Sequence, residues 1–271
     1  MTTIGQYLFT ATKQLSEASI ATARLDALVL MEDQLQKDRS YILAHPEIEM
    51  TVTSTNVLTQ QLAKRAQHIP LAYIRGKSEF YGREFFITPA VLQPRPESET
   101  MIELLLGLHL PPSVHIADVG TGSGALGITA QLELPVAIVE LLDIDTNALA
   151  VAETNVVNHT LSIKVTQSDL LKQSSRNYEV LLCNLPYVPD NFHINTAALH
   201  EPRIALFGGP DGLDIYRSLF ISNQILQYKP LYILTESLPP QHVVLQSIAM
   251  NHGYRLYQSE DFIQVFKAAN V

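Results

Sequence analysis

Hydrophobic positions change their period twice along this chain. Through residues 1–70 they recur at helical spacing: Leu25, Leu28, Val29 and Leu35 form one set, and Val57, Leu58, Leu62 and Ala66 another. Ala44-His45-Pro46-Glu47 interrupts the pattern, so several short helices are expected rather than one long one. Residues 76–92 differ in character. Phe80-Tyr81-Gly82-Arg83-Glu84-Phe85-Phe86-Ile87 is aromatic around a turn glycine and predicts a β-hairpin. Gln93-Pro94-Arg95-Pro96 cannot be helical, because each proline restricts the residue before it. A helix is expected over 97–106.

From residue 114 short apolar runs alternate with amphipathic ones. Strands are expected at 114–119, 136–143, 163–167, 180–183, 231–236, 254–257 and 262–266. Helices are expected at 125–132, 146–155, 214–226 and 240–251. Strands alternating with helices imply a mostly parallel sheet covered on both faces. The last two strands are separated by a short gap and predict an antiparallel finish. The pattern gives an α/β chain with a helical domain at 1–75, a hairpin linker at 76–92 and an α/β domain at 93–271.

Two turns in the α/β part carry candidate chemistry. The first strand runs out through Ala117-Asp118-Val119 into Gly120-Thr121-Gly122-Ser123-Gly124. Glycines there permit a sharp strand-to-helix turn and let a ligand approach the main chain. The spacing alone is moderately specific, and a purely structural turn is the competing reading. Asp143 closes the second strand about 20 residues later, where a carboxylate can accept both hydroxyls of a ribose. Asp145 is better read as the start of the next helix. Asp169 ends the third strand. It could accept from an adenine amino group with Leu170 packed on the ring, or it could cap a helix.

The second turn is Asn184-Leu185-Pro186-Tyr187, at the carboxyl end of the fourth strand. Ligands of open α/β sheets bind at such ends. The Asn184 side chain and the Leu185 carbonyl offer two acceptors to one NH2 group, and Tyr187 could stack on a planar group. Taken with the glycine turn, this suggests transfer of a methyl group from S-adenosylmethionine to a nitrogen. Such chemistry depends mainly on placement and desolvation. An isolated Asn-x-Pro-Tyr would be an ordinary proline turn; its place in the fold gives it weight.

Composition narrows the picture. The 271 residues are 46% hydrophobic and 17% charged, which marks an ordered globular chain. No apolar run reaches the length of a membrane span, and no signal peptide is visible at the amino terminus. A cytoplasmic protein is expected. The single cysteine, Cys183, allows no intramolecular disulfide. It ends an apolar strand without a basic neighbour and is not expected to be a nucleophile. The nine histidines are scattered, so no metal site is expected. A net charge of −9 argues against broad binding to nucleic acid.

Beyond the two turns, further segments occur in order: Arg24-Leu25-Asp26-Ala27, Pro70-Leu71-Ala72-Tyr73-Ile74-Arg75-Gly76, Glu79-Phe80-Tyr81-Gly82 and Val91-Leu92-Gln93-Pro94-Arg95-Pro96-Glu97. Glu201-Pro202-Arg203-Ile204-Ala205-Leu206-Phe207-Gly208-Gly209-Pro210-Asp211-Gly212 follows the second turn. With these the chain resembles, over nearly its whole length, the HemK-type family of peptide-chain release factor glutamine methyltransferases. The resemblance implies a Rossmann-like class I methyltransferase sheet. It implies methyl transfer from S-adenosylmethionine, with S-adenosylhomocysteine as product, to the glutamine of the Gly-Gly-Gln loop of bacterial-type release factors. Carried over by position, Gly120, Thr121, Gly122, Ser123, Gly124, Asp143, Asp169, Leu170 and Asn184 would hold the cofactor. Asn184, Leu185, Pro186 and Tyr187 would hold the glutamine amide, with Asn184, Pro186 and Tyr187 as the catalytic set. The helical domain would contact the release factor, and Arg95 and Glu97 would shape the entrance. A monomer with no nucleic-acid substrate is expected. The family usually has Asn-Pro-Pro-Tyr where this chain has Leu185. Asn-Leu-Pro-Tyr also resembles the turn of rRNA adenine N6-methyltransferases, which keeps adenine as an alternative target. Gln93 and Thr235-Glu236-Ser237-Leu238-Pro239-Pro240 depart from the family pattern as well.

Overall fold

A computed structural model describes residues 2–174, 177–222 and 229–269. The chain divides into two units: Met1–Gly76 with Asn195–His200, and Lys77–Ile194 with Glu201–Val271. The first unit is helical, with α1 (Ile4–Glu17), α2 (Ala23–Leu35), α3 (Arg39–Ala44), α4 (Val52–Ala66) and α5 (Leu71–Arg75). Short polar residues start three of them. Thr3 and Gln6 form a reciprocal capping box on α1, Asp38 accepts from the Tyr41 N–H, and Thr51 accepts from the Ser54 N–H. Leu15, Leu30, Met31, Ile42 and Leu58 form the core of this unit. Leu25, expected on the apolar face, is exposed, because α2 turns Ala27, Leu30 and Met31 inward instead. Asp26, buried on α2, accepts from Arg65 of α4 at 2.6 Å, so a buried charge is paired. His200 Nε2 lies 3.3 Å from the Gln67 carbonyl within this unit.

The second unit opens with the hairpin of β1 (Lys77–Phe80) and β2 (Arg83–Phe86). Its two-residue turn holds Tyr81 at φ 51° and Gly82 at φ 69°, the left-handed pair that matches strand twist. The hairpin is not a free tether. Phe80 and Phe85 are buried in the core of the α/β unit.

The helix expected from 97 begins with a single 3-10 turn, Pro96–Ser98, and continues as α6 (Glu99–Leu106). A seven-stranded sheet follows: β3 (His115–Val119), β4 (Ile138–Asp143), β5 (Lys164–Gln167), β6 (Val180–Cys183), β7 (Tyr232–Glu236), β8 (Tyr254–Glu260) and β9 (Ile263–Ala268), in the order β5-β4-β3-β6-β7-β9-β8. β5, β4, β3, β6 and β7 are parallel, whereas β9 pairs antiparallel with both β7 and β8. The expected α/β class, with its antiparallel finish, is the one found. Helices α7 (Ala125–Glu133), α8 (Thr146–Asn158), α9 (Asp214–Ser222) and α10 (His242–Asn251) connect the strands. Residues 223–226 of the expected 214–226 helix lie outside the described residues.

Boundaries differ from expectation where local geometry intervenes. Val136 and Ala137 belong to a turn rather than to β4, because the Ala137 N–H closes onto the Leu134 carbonyl after α7. β8 runs three residues past the expected 257, to Glu260. It is an edge strand with only Tyr254 buried, so its exposed polar residues gave no apolar pattern to read. No helix among the described residues is long and apolar enough to cross a membrane.

One buried side chain joins hairpin, helix and glycine turn. Asn155 on α8 is fully buried. Its Oδ1 accepts from the Phe86 N–H at 2.7 Å, and its Nδ2 donates to the carbonyls of Phe86 (2.8 Å) and Ser123 (2.9 Å). Asn155→Ala would strip three backbone groups of their partner. The expected loss is about 2–4 kcal/mol, read from urea unfolding, and a loss under about 1 kcal/mol would count against this role.

Candidate cofactor and substrate site

β3 and β6 are neighbours in the sheet, yet the crossovers from them run in opposite directions. Crevices open at such switch points, outside the carboxyl ends of the strands. A cavity of about 370 Å³ lies there. Gly120, Thr121, Gly122 and Ser123 line it after β3, Asp143 at the end of β4, Asp169 and Leu170 after β5, and Asn184, Leu185 and Pro186 after β6. Gly124 and Tyr187 do not line it. Arg95 does, whereas Glu97 does not.

The glycine turn is held by its own backbone and two carboxylates. The Gly120 and Thr121 N–H groups both donate to the Leu142 carbonyl, at 2.8 and 2.9 Å. Asp143 Oδ2 accepts from the Gly122 N–H at 2.9 Å, and its Oδ1 accepts from the Asp145 N–H at 3.0 Å. Burial pushes the Asp143 carboxyl up from its ordinary pKa, and these N–H groups pull it back. Behind the turn, buried Asp118 accepts from Thr121 Oγ1 at 2.6 Å and the Gly127 N–H at 2.9 Å. Loss of solvent pushes the Asp118 pKa up to about 6.

Two glycines here are matters of space. Gly122 has φ 55°, and a Cβ on it would meet nothing within 4 Å, so its main chain is open to a ligand. Gly127 is the reverse: a Cβ there would fall 2.3 Å from Leu141 Cδ2. It lets α7 lie directly on the sheet, a role the motif reading missed. Gly124 caps α7 in the left-handed conformation.

Asp145 caps α8, accepting from the Asn147 N–H at 2.8 Å. Among the described residues no helix follows Asp169 for it to cap; the chain turns through Gln173, and Asp169 pairs with Lys172. Leu170 is held at φ 54°, a strained value for leucine, with its carbonyl accepting from Ser168 Oγ at 2.7 Å. Asp143, Asp145 and Asp169 make the cavity wall acidic, while its two cations, Lys172 and Arg95, are each paired with a carboxylate. Arg95 Nη2 donates to both oxygens of Glu201, at 2.8 and 2.6 Å. Such a wall favours a ligand bearing positive charge. A cationic nucleoside such as S-adenosylmethionine fits this combination of open main chain, strand-end carboxylate and acidic lining.

At the second turn, Asn184 Nδ2 donates to Ser98 Oγ at 2.9 Å, and Asn184 Oδ1 accepts from no protein group among the described residues. Ser98 in turn donates to Glu236 Oε2 at 2.6 Å, and Tyr187 donates to Glu236 Oε1 at 2.9 Å. Tyr187, expected to stack on a planar group, therefore points its hydroxyl at a buried carboxylate. Burial and the adjacent Glu236 hold its phenol well above the ordinary pKa. Burial also pushes Glu236 up, against the pull of the Ser98 and Tyr187 hydroxyls. The Tyr216 hydroxyl lies 2.9 Å from the Cys183 carbonyl and 2.5 Å from that of Glu236, and accepts from the Glu236 N–H at 3.2 Å. It ties together the ends of β6 and β7. Cys183 is fully buried, and desolvation raises its thiol pKa well above the ordinary value.

Leu185 is 3% exposed and packs against the glycine turn: its Cδ2 would sit 2.8 Å from a Cβ at Gly120. Its N–H points at the Tyr216 hydroxyl, 3.4 Å away. The leucine thus supplies by packing some of the stiffness a proline ring would give. Sequence reasoning missed Ser98, Tyr216 and Glu236. Only Glu236 left a usable signal, since it closes an apolar strand as Asp143 does.

Residues 6–76 match the PrmC N-terminal domain family, and residues 99–206 match the methyltransferase small domain family. A release factor glutamine methyltransferase of Koribacter versatilis (strain Ellin345) is 36% identical over 225 residues, covering 80% of each chain. One from Coxiella burnetii (strain RSA 493 / Nine Mile phase I) is 32% identical over 251 residues, covering 90% of this chain and 91% of that one. The solved hMettl16 catalytic domain in complex with MAT2A 3'UTR hairpin 6 is 13% identical, with a TM-score of 0.58 over 87% of this chain and 94% of that one. That is a likeness of fold.

Asp143→Ala would remove the strand-end carboxylate and free the Gly122 N–H. Titration calorimetry is expected to show S-adenosylmethionine binding weakened by about 10- to 100-fold. An unchanged dissociation constant would exclude Asp143 from the cofactor site.

Proposed function

The chain belongs to the release factor glutamine methyltransferase family, and on that premise we propose that it methylates the side-chain amide nitrogen of the glutamine in the Gly-Gly-Gln motif of peptide-chain release factors. It is an S-adenosylmethionine-dependent N-methyltransferase. In this reading it acts in the cytoplasm, as a monomer, and modulates translation termination. The observation that carries the reading is the meeting of two turns in one cavity, the glycine turn after β3 and Asn184-Leu185-Pro186 after β6.

Bound S-adenosylmethionine supplies an electrophilic methyl group on a positively charged sulfur. Gly120, Thr121, Gly122 and Ser123 would let it lie close to the main chain, Asp143 would accept its ribose hydroxyls, and Asp169 with Leu170 would hold the adenine; Gly124 acts behind them, as the cap of α7. Asn184 Oδ1 and the Leu185 carbonyl each accept one N–H of the glutamine amide. Together they fix the plane of the amide and raise the electron density on its nitrogen. Leu185 and Pro186 keep water from that nitrogen. Tyr187 acts on the amide from behind, by stiffening the turn through Glu236. The net charge of −9 and the acidic cavity wall support a protein substrate over a nucleic acid.

Mass spectrometry of a bacterial release factor, incubated with the enzyme and S-adenosylmethionine, is expected to show one added methyl group on the Gly-Gly-Gln glutamine. Asn184→Ala should lower kcat by on the order of 100-fold and weaken cofactor binding far less. No methyl gain by an enzyme that binds the cofactor would overturn the target and turn attention to adenine.

Residues 1–75 are proposed to dock the release factor. Every residue that lines the cavity lies outside them. A chain lacking 1–75 is therefore expected to bind S-adenosylmethionine but to fail on a folded release factor, and undiminished methylation would give the segment a structural role only.

A further inference from the structure

The polar chain behind Asn184 runs through three elements. Glu236 ends β7, Ser98 closes the 3-10 turn before α6, and Asn184 follows β6. Glu236 and Ser98 are 1% and 2% exposed, so their hydrogen bonds are made within the protein. Both Glu236 oxygens accept, Oε2 from Ser98 Oγ at 2.6 Å and Oε1 from the Tyr187 hydroxyl. Ser98 thus spends its one proton on Glu236 and can offer Asn184 only a lone pair. The Asn184 amide must turn its Nδ2 to Ser98, at 2.9 Å, which leaves Oδ1 as the free end.

We infer that Glu236 and Ser98 are positioning residues that set the polarity of Asn184, so that the cavity presents an acceptor, and not a donor, to the group being methylated. The inference rests on the role assigned to Asn184 above and deepens it. With Oδ1 and the Leu185 carbonyl both accepting, the site selects a primary amide or amine nitrogen, which has two N–H groups. A carbonyl oxygen or a fully substituted nitrogen finds no donor there. Reversing the Ser98 bond would flip the amide and aim Nδ2 at the substrate N–H, donor against donor. The cost of an unpaired polar group in a desolvated site makes this discrimination steep. Tyr187 reaches the other oxygen of the same carboxylate, so Glu236 holds both ends of the Asn184–Tyr187 turn.

The isosteric variant Glu236→Gln isolates the polarity. The glutamine oxygen can still accept from Tyr187, while its NH2 donates to Ser98 and drives the Ser98 proton towards Asn184. Ser98→Ala removes the link altogether. In protein labelled with 15N at asparagine, the Asn184 side-chain signal is identified by its loss in Asn184→Asp. Its Nδ2 protons are expected to exchange slowly in the wild type, and at least tenfold faster in both Glu236→Gln and Ser98→Ala. Equal exchange rates in all three proteins would overturn the inference, whatever the wild type methylates. On release factor, both variants are expected to lower kcat at least tenfold with an unchanged dissociation constant for S-adenosylmethionine. Wild-type turnover equal to that of Glu236→Gln would also overturn the inference. A wild type that leaves release factor unmethylated defeats the functional reading instead, and the exchange rates still decide the polarity.

Discussion

The site depends on the parallel pairing of β3 with β6, which sets Asp118 opposite Leu182. Strand order reverses at this pair. Chains that leave adjacent strands at the same end and cross over in opposite directions cannot fill the space between them. The glycine turn makes one wall of the resulting crevice and the Asn184 turn the other. Leu185, buried against Gly120, joins the walls from beneath. Two motifs far apart in sequence become one cavity through a backbone pairing, before any of their side chains is considered.

Three buried polar side chains then fix the crevice. A polar group taken from water is costly unless it is fully bonded, and each of these is bonded to turns and neighbouring elements rather than to its own element. Asp118 holds Thr121 and Gly127, Asn155 holds Phe86 and Ser123, and Glu236 holds Ser98 and Tyr187. The two carboxylates have their pKa values pushed up by burial, which is the electrostatic cost of this arrangement. What they give in return is a turn geometry set before any ligand arrives. That is the condition under which hydrogen-bond acceptors can favour a transition state without rearranging.

The charge around the cavity follows the same economy. Its cations are paired, Lys172 with Asp169 and Arg95 with Glu201, while Asp143 accepts only from neutral N–H groups in the bonds described. A positively charged sulfur centre meets a wall in which carboxylates outnumber free cations.

Much of this was legible in the linear chain. Helical and strand periods, the Tyr81-Gly82 turn, the glycine turn after β3, the acid closing β4 and the Asn-x-Pro-Tyr turn after β6 are all local. Each depends on residues within a few positions of one another, and periodicity and turn chemistry report such features directly. Of the sheet, the parallel character and the antiparallel finish were legible, but not the strand order or the length of the polar edge strand β8. Tertiary structure alone decided that Ser98, Glu236 and Asn184 meet, that Tyr187 faces inward to a carboxylate, that Gly127 gives α7 its seat on the sheet, and that Asn155 reaches the hairpin. In each of these the partners come from different elements and have no common period. Their meeting is set by strand register and helix placement, which are properties of the packed chain, because a side chain's neighbours across a sheet are chosen by the burial of the whole face and not by its own sequence.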